Sequence, residues 1–148
     1  MSAREEAVVA LFVHLSDALA TRNPPPVVLR NETVPQRLPA GGLVVVRDGE
    51  TVEETPIMSP LAWAVQQRAE VEVVAPGETA ASRAALLDDL LRAIGDAIAT
   101  DRTLSAAVEW SQPESPSFDD IDFEGATAAR SALVPVSLFF TVADTPLA

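Results

Sequence analysis

Six carboxylates, Glu109, Glu114, Asp119, Asp120, Asp122 and Glu124, fall in one stretch with no basic residue between Arg102 and Arg130. Carboxylates this dense can bind a hard cation, and Asp120-Ile-Asp122-Phe-Glu124-Gly125 follows the opening of an EF-hand calcium loop. The twelfth loop position is Ser131, where that loop requires a bidentate glutamate, and the residues after it read as a strand rather than a helix. The expectation is an acidic loop over 111–126, solvated or facing a partner, without a bound metal. The other candidate for chemistry is His14, which falls beside the apolar stripe of a helix. A general base needs a nucleophile or an acid converging on it. The chain has no Gly-x-Ser-x-Gly elbow, no Gly-rich phosphate loop and no His-Glu-x-x-His pair. An ordinary surface histidine is expected.

Composition narrows the function classes further. The chain has no cysteine, which excludes disulfides, thiolate metal sites and a cysteine nucleophile, and one histidine leaves too few ligands for zinc. Acidic residues number 22 against 10 basic ones, a formal charge of −12. Every basic residue is an arginine and they are scattered, whereas a protein that grips nucleic acid clusters its positive charge to displace counterions. Nucleic acid is not expected as a tight ligand. A hydrophobic fraction of 48% over 148 residues supports one domain, 1–148, with a real core. No apolar run approaches the roughly 20 residues that span a bilayer. The start Met1-Ser2-Ala3-Arg4-Glu5-Glu6 lacks the marks of a secretion signal, so a cytoplasmic location is expected.

The elements that must position these residues are legible from periodicity. Val8, Leu11, Phe12, Leu15 and Leu19 recur at three and four, an amphipathic helix over 3–22 that Asn23 and Pro24 to Pro26 end. A short apolar piece, Val27 to Leu29, precedes a loop over 31–41. Leu43 to Val46 is β-branched, Asp48-Gly49 is a hairpin-turn dipeptide, and Thr51 to Thr55 returns antiparallel. Pro56 and Pro60 bracket another turn. Residues 62–74 then alternate, with Trp63, Val65, Ala69, Val71 and Val73 on one face and Gln66, Arg68, Glu70 and Glu72 on the other.

Thr79 or Ser82 caps a second helix over 80–100, which carries Leu86, Leu87, Leu90, Leu91, Ile94, Ala97 and Ile98, with Asp88, Arg92 and Asp96 four apart on its outer face. Gly95 within it suggests close packing. A short strand is expected over 104–110 and a long one over 132–143, where Pro135 places that end at an edge or bulge. Trp63 and Trp110 are expected in the core. The order predicts an α+β fold, a mainly antiparallel or mixed sheet with two main helices packed on one face.

The layout, with Arg68-Ala-Glu-Val-Glu-Val-Val74, Leu86-Leu-Asp-Asp-Leu-Leu91, Asp101-x-x-Leu104 and Val136-Ser-Leu-Phe-Phe-Thr141, resembles the tail terminator (tail completion) proteins of long-tailed bacteriophages and gene transfer agents. The resemblance covers nearly the whole chain and rests on layout and short patterns, with no diagnostic motif. It implies a non-enzymatic structural protein, assembled in the host cytoplasm and retained at the head-proximal end of the tail. Such subunits form a hexameric ring that ends tail tube polymerisation and presents a surface to the head connector. The implied partners are further copies of the chain, the tail tube protein and a head-tail connector or stopper protein, with DNA passing through the lumen unbound and no membrane.

A ring suits the composition, since a strongly acidic lumen lets DNA slide without sticking. On this reading Asp48, Glu50, Glu53 and Glu54, with Asp119, Asp120, Asp122 and Glu124, are candidates for the lumen or for an Arg-rich partner surface. No catalytic, cofactor-binding or metal-ligating residue is assigned. A head-tail connector or tail tube subunit would share the same acidic character. A small enzyme or ligand-binding domain using the acidic loop is the third possibility.

Overall fold

The computed structural model describes residues 1–35, 37–121 and 128–148. The chain runs α1 (Ala3–Leu19), β1 (Val27–Arg30), β2 (Leu43–Ile57), β3 (Ala62–Pro76), α2 (Ala80–Thr100), β4 (Trp110–Pro113), β5 (Ser117–Ile121) and β6 (Ala129–Ala143). The strands form one six-stranded mixed sheet in the order β1-β2-β3-β6-β4, with β5 also on β6. This is the α+β fold expected from the element order.

Helix α1 starts where the Ser2 side chain accepts the Glu5 amide, and Glu5 and Glu6 complement the positive end of the helix dipole. Its last helical residue is Leu19, a turn earlier than the stripe suggested. At α2 both expected caps act together: Thr79 accepts the Ser82 amide while the Ser82 hydroxyl accepts the Thr79 amide. Leu11, Leu15 and Leu19 of α1 and Leu90, Ile94 and Ile98 of α2 bury against Val44, Val46, Val65, Val71, Val136 and Leu138. In the β2–β3–β6 register those strand residues all point to one side, so both helices cover the same face. His14 joins the two helices, its Nε2 lying 2.6 Å from the Ala97 carbonyl oxygen.

Strand β1 runs parallel to β2, which requires a crossover, and residues 31–35 and 37–42 belong to it. Leu29, Val34 and Leu38 fold over Leu43, Val45 and Val74 on the sheet face opposite the helices.

Local expectations are corrected in several places. Asp48-Gly49 is not a hairpin turn: β2 continues through it to Ile57, and the register with β3 shifts between Asp48 and Thr51 and again between Thr51 and Glu53. The cause is the partner strand. A Cβ on Gly49 would lie 2.6 Å from the Arg68 carbonyl oxygen, so glycine permits close approach of two strands in a bulge instead of reversal. The actual reversal is at Met58–Leu61, the turn bracketed by Pro56 and Pro60.

Residues 104–109 are not a strand either. Leu104, Ser105 and Ala106 take left-handed φ values of 51°, 59° and 67°, and the Asp101 carboxylate organises this turn by accepting the Thr103 and Ser105 amides. Within the expected loop 111–126, Trp110–Pro113 and Ser117–Ile121 pair with β6 as β4 and β5. That makes β6 an interior strand. Pro135 is tolerated at the break between β4 and β5, where its carbonyl accepts the Glu114 amide and its nitrogen faces the same gap. Trp110 is 48% exposed, and the Arg102 guanidinium lies 5.1 Å from its ring centroid.

Gly95 faces open space and marks no close packing: nothing lies within 4 Å of a Cβ built there. Gly95→Ala is therefore expected to stabilise α2 by about 1 kcal/mol, raising Tm by roughly 3 °C in a thermal melt. A fall in Tm would mean that the position is packed in a way the open space contradicts.

The turn after α2 gives a pH signature. Hydrogen bonds from the Ser105 amide and the Thr103 hydroxyl hold the Asp101 pKa below its ordinary 3.8. A carboxylate with a depressed folded-state pKa contributes stability above its unfolded pKa and loses it as pH falls through the folded one. Asp101→Asn is expected to lower Tm at neutral pH, with the gap from wild type closing as the pH drops below 3.8. A gap that stays constant in melts across that range would rule out the ionised carboxylate as the organiser of the turn.

Candidate assembly surface

Beyond Val46 strand β2 leaves the covered part of the molecule, while its partner β3 stays buried under the helices as far as Val65. β1 pairs only Leu43–Val46, so the outer edge of β2 from Arg47 to Ile57 has no strand beside it among the described residues. Residues 51–61 are exposed throughout, and the tip carries apolar side chains with no core to fill: Ile57 is 46% exposed, Met58 73% and Leu61 41%. Val52, at the second register shift, is exposed as well. Such an arm costs ordering entropy that its own contacts do little to offset, and exposed apolar patches mark interaction sites.

The base of the arm is fixed from the helix side. Gln67 is the polar residue on the apolar face of β3 and is 5% exposed. Its Nε2 donates to the Gly49 carbonyl in the bulge at 3.1 Å, and its Oε1 accepts the Thr51 hydroxyl at 2.7 Å and Arg4 Nε at 3.2 Å. Arg4 also pairs with Glu54 and donates to the Pro146 carbonyl oxygen. The Ala3 amide donates to the Ala148 carbonyl oxygen. One arginine at the start of α1 thereby ties the arm, the sheet and the last residues of the chain.

The candidate carboxylates among the described residues do not converge on one site. Asp48 and Glu54 lie on the helix side, Asp48 held by Arg30 at 2.7 Å and Glu54 by Arg4. Glu50 pairs with Arg68 at 3.0 Å, and Glu53 sits opposite Gln66 on the helix-free face of the sheet. Asp119 shares that face at the far edge, opposite Ser131, while Asp120 is opposite Arg130 on the other face. Asp122 and Glu124, and with them most of the calcium-loop pattern, lie outside the described residues. Among the described residues no three His, Asp or Glu side chains are placed to share a metal ion.

The sequence reading of the acidic segment missed the polar network that crosses the helix-free face. Arg68 reaches Glu114 at 3.4 Å as well as Glu50, Ser137 donates to Glu114 at 2.8 Å, Gln66 donates to Ser137 at 3.1 Å, and Arg47 pairs with Glu72. The alternation of Gln66, Arg68, Glu70 and Glu72 already placed one row of it on a single face. The partners on β2, β4 and β6 depend on register, which periodicity does not supply.

No family model matches the chain, and no curated protein matches it.

Proposed function

We propose that the protein is an assembly component that forms a hexameric ring on the head-proximal end of a phage-type tail tube, ends tube growth there and offers a joining surface to the head. The observation that carries this reading is the β2–β3 arm, which is ordered at its base by Gln67 and Arg4 yet exposes Ile57, Met58 and Leu61 at its tip. An arm of this kind suits contact with another molecule. The two edges of the sheet differ, a long free β2 edge on one side and the short β4 and β5 on the other. Unlike edges support head-to-tail contacts, which close into a ring when the rotation permits. The charge of −12 supports a lumen that repels DNA. The layout resemblance supplies the identity of the tube as partner.

Mass measurement of tail tubes incubated with the protein tests the stoichiometry. Six copies per tube are expected. One copy, or copies bound along the whole tube, would overturn the ring.

A further inference from the structure

The helix-free face of the sheet is covered unevenly. Its proximal half lies under the crossover between β1 and β2, whose Val34 and Leu38 sit on Leu43, Val45 and Val74. The distal half has no such cover among the described residues. There the register brings Glu53 of β2, Gln66 of β3, Phe139 of β6 and Trp110 of β4 into one row across the face. Thr55, Ala64, Glu109 and Phe139 line an open trough of about 170 Å³ between the arm and the β4 side. Ala64 is the small residue that makes it a trough.

The polar groups around it are acceptors. Among the described residues the Glu53 carboxylate receives only the Thr55 hydroxyl, at 3.3 Å, and the exposed Glu109 carboxylate receives no hydrogen bond or ion pair. The Gln66 amide nitrogen is engaged by Ser137, so its carbonyl oxygen is the end left to accept. The nearest cation in sequence, Arg102, is turned to the Ser111 carbonyl oxygen, Gln112 and the Trp110 ring. We infer that this distal half-face is a docking surface for an extended segment of a different protein, and that the trough takes an arginine side chain of that segment.

Charge complementarity selects this occupant. A guanidinium can pair with carboxylates on both sides of the trough while its plane lies over Phe139, a combination that a compact ammonium or a neutral side chain does not match. A second copy of the chain is a poor source. Of its ten arginines, five are in ion pairs, two lie over aromatic rings and Arg83 donates to the Gly77 carbonyl oxygen, which leaves Arg22, half-buried, and Arg37. Peptide-free self-association through Arg37 is the competing outcome, read by whether Arg37→Gln abolishes shifts of the trough residues on dilution. Nucleic acid is repelled by the same carboxylates. Docking at this face does not depend on the oligomeric state, so it can fail while the ring survives, or the reverse.

The test uses the full chain and two capped tripeptides, acetyl-Gly-Arg-Gly-amide and the same peptide with citrulline, the neutral isostere of arginine. Amide shifts in a heteronuclear NMR titration are expected at Thr55, Ala64, Gln66, Glu109 and Phe139 with the arginine peptide, saturating in the millimolar range, and not with citrulline. The double variant Glu53→Gln, Glu109→Gln is expected to weaken binding at least tenfold. Asp89→Asn, Asp96→Asn, which removes the same charge from the exposed side of α2, is expected to leave it within twofold. Equal binding by the two peptides, equal loss in the two double variants, or shifts spread over every acidic surface would overturn the proposal. The dispersion of each variant's own spectrum reports that it is folded.

Discussion

Replacing Ile57, Met58 and Leu61 together by serine is expected to leave a folded subunit that no longer caps tail tubes. The three side chains stand at the tip of the arm, exposed by 46%, 73% and 41%, and touch no part of the core. Substitutions at such positions change fold stability by about 0.5 kcal/mol or less each. In a contact with another subunit or the tube, burial of each is worth about 1–2 kcal/mol, so losing all three weakens one contact by on the order of a hundredfold or more. A ring multiplies that loss over its interfaces. Thermal melts within a few degrees of wild type, together with loss of tube-bound protein in a sedimentation assay, are the expected pair of results. Wild-type tube binding by the triple variant would remove the arm from the interface.

Gln67→Leu is expected to destabilise the subunit by about 2 kcal/mol, a fall in Tm of roughly 6 °C, although leucine is the residue that the apolar face of β3 would by itself call for. The amide makes four hydrogen bonds at the bulge, one of them from its Nε2 to the Arg68 carbonyl oxygen at 3.2 Å. It caps the Gly49 carbonyl oxygen, accepts the Thr51 hydroxyl and accepts from Arg4. Leucine removes this donor from the Gly49 and Arg68 carbonyl oxygens and the acceptor from Arg4 Nε and the Thr51 hydroxyl, which keep only each other at 3.2 Å. A polar group left short of partners in a part-buried place costs more than its hydrogen bond returned. Gln67→Glu separates the roles, because a carboxylate keeps the acceptor for Arg4 and Thr51 but cannot donate to Gly49. An intermediate loss is expected from it, read by the same melts. If leucine is neutral or stabilising, the network at the arm's base contributes nothing to stability.

The long-period features of this fold were legible because burial acts on many residues at once. The stripes of α1 and α2 and the alternation of β3 name the covered face without any knowledge of partners. The errors fell where one contact from another strand overrides a local preference. Asp48-Gly49 has the composition of a type I′ turn, yet with the Arg68 backbone against Gly49 it serves as a bulge. Pro135 argues against an interior strand, and it is admitted to one because β4 stops and β5 starts on either side of it. Leu104 looks like the start of a strand and instead buries its side chain from a left-handed turn that Asp101 stabilises.

For the candidate surface, residue type was informative and position was not. The carboxylates of the arm divide between the two faces of β2, and the register shifts at Thr51 and Glu53 decide which goes where. Asp48 and Glu54 thereby become neutralised supports of the fold, while Glu53 is left to face outward with Glu109. Glu109 belonged to the acidic run from the start. Its pairing with Glu53 across β3 and β6 follows only from the strand order.

The most direct test of the ring is an image. Tail tubes polymerising in the presence of the purified protein, sampled over time and viewed in negative stain, are expected to carry one annular density at a single end and to stop elongating once it is there. Tubes that keep growing with bare ends, or that bind the protein along their sides, would contradict a capping ring.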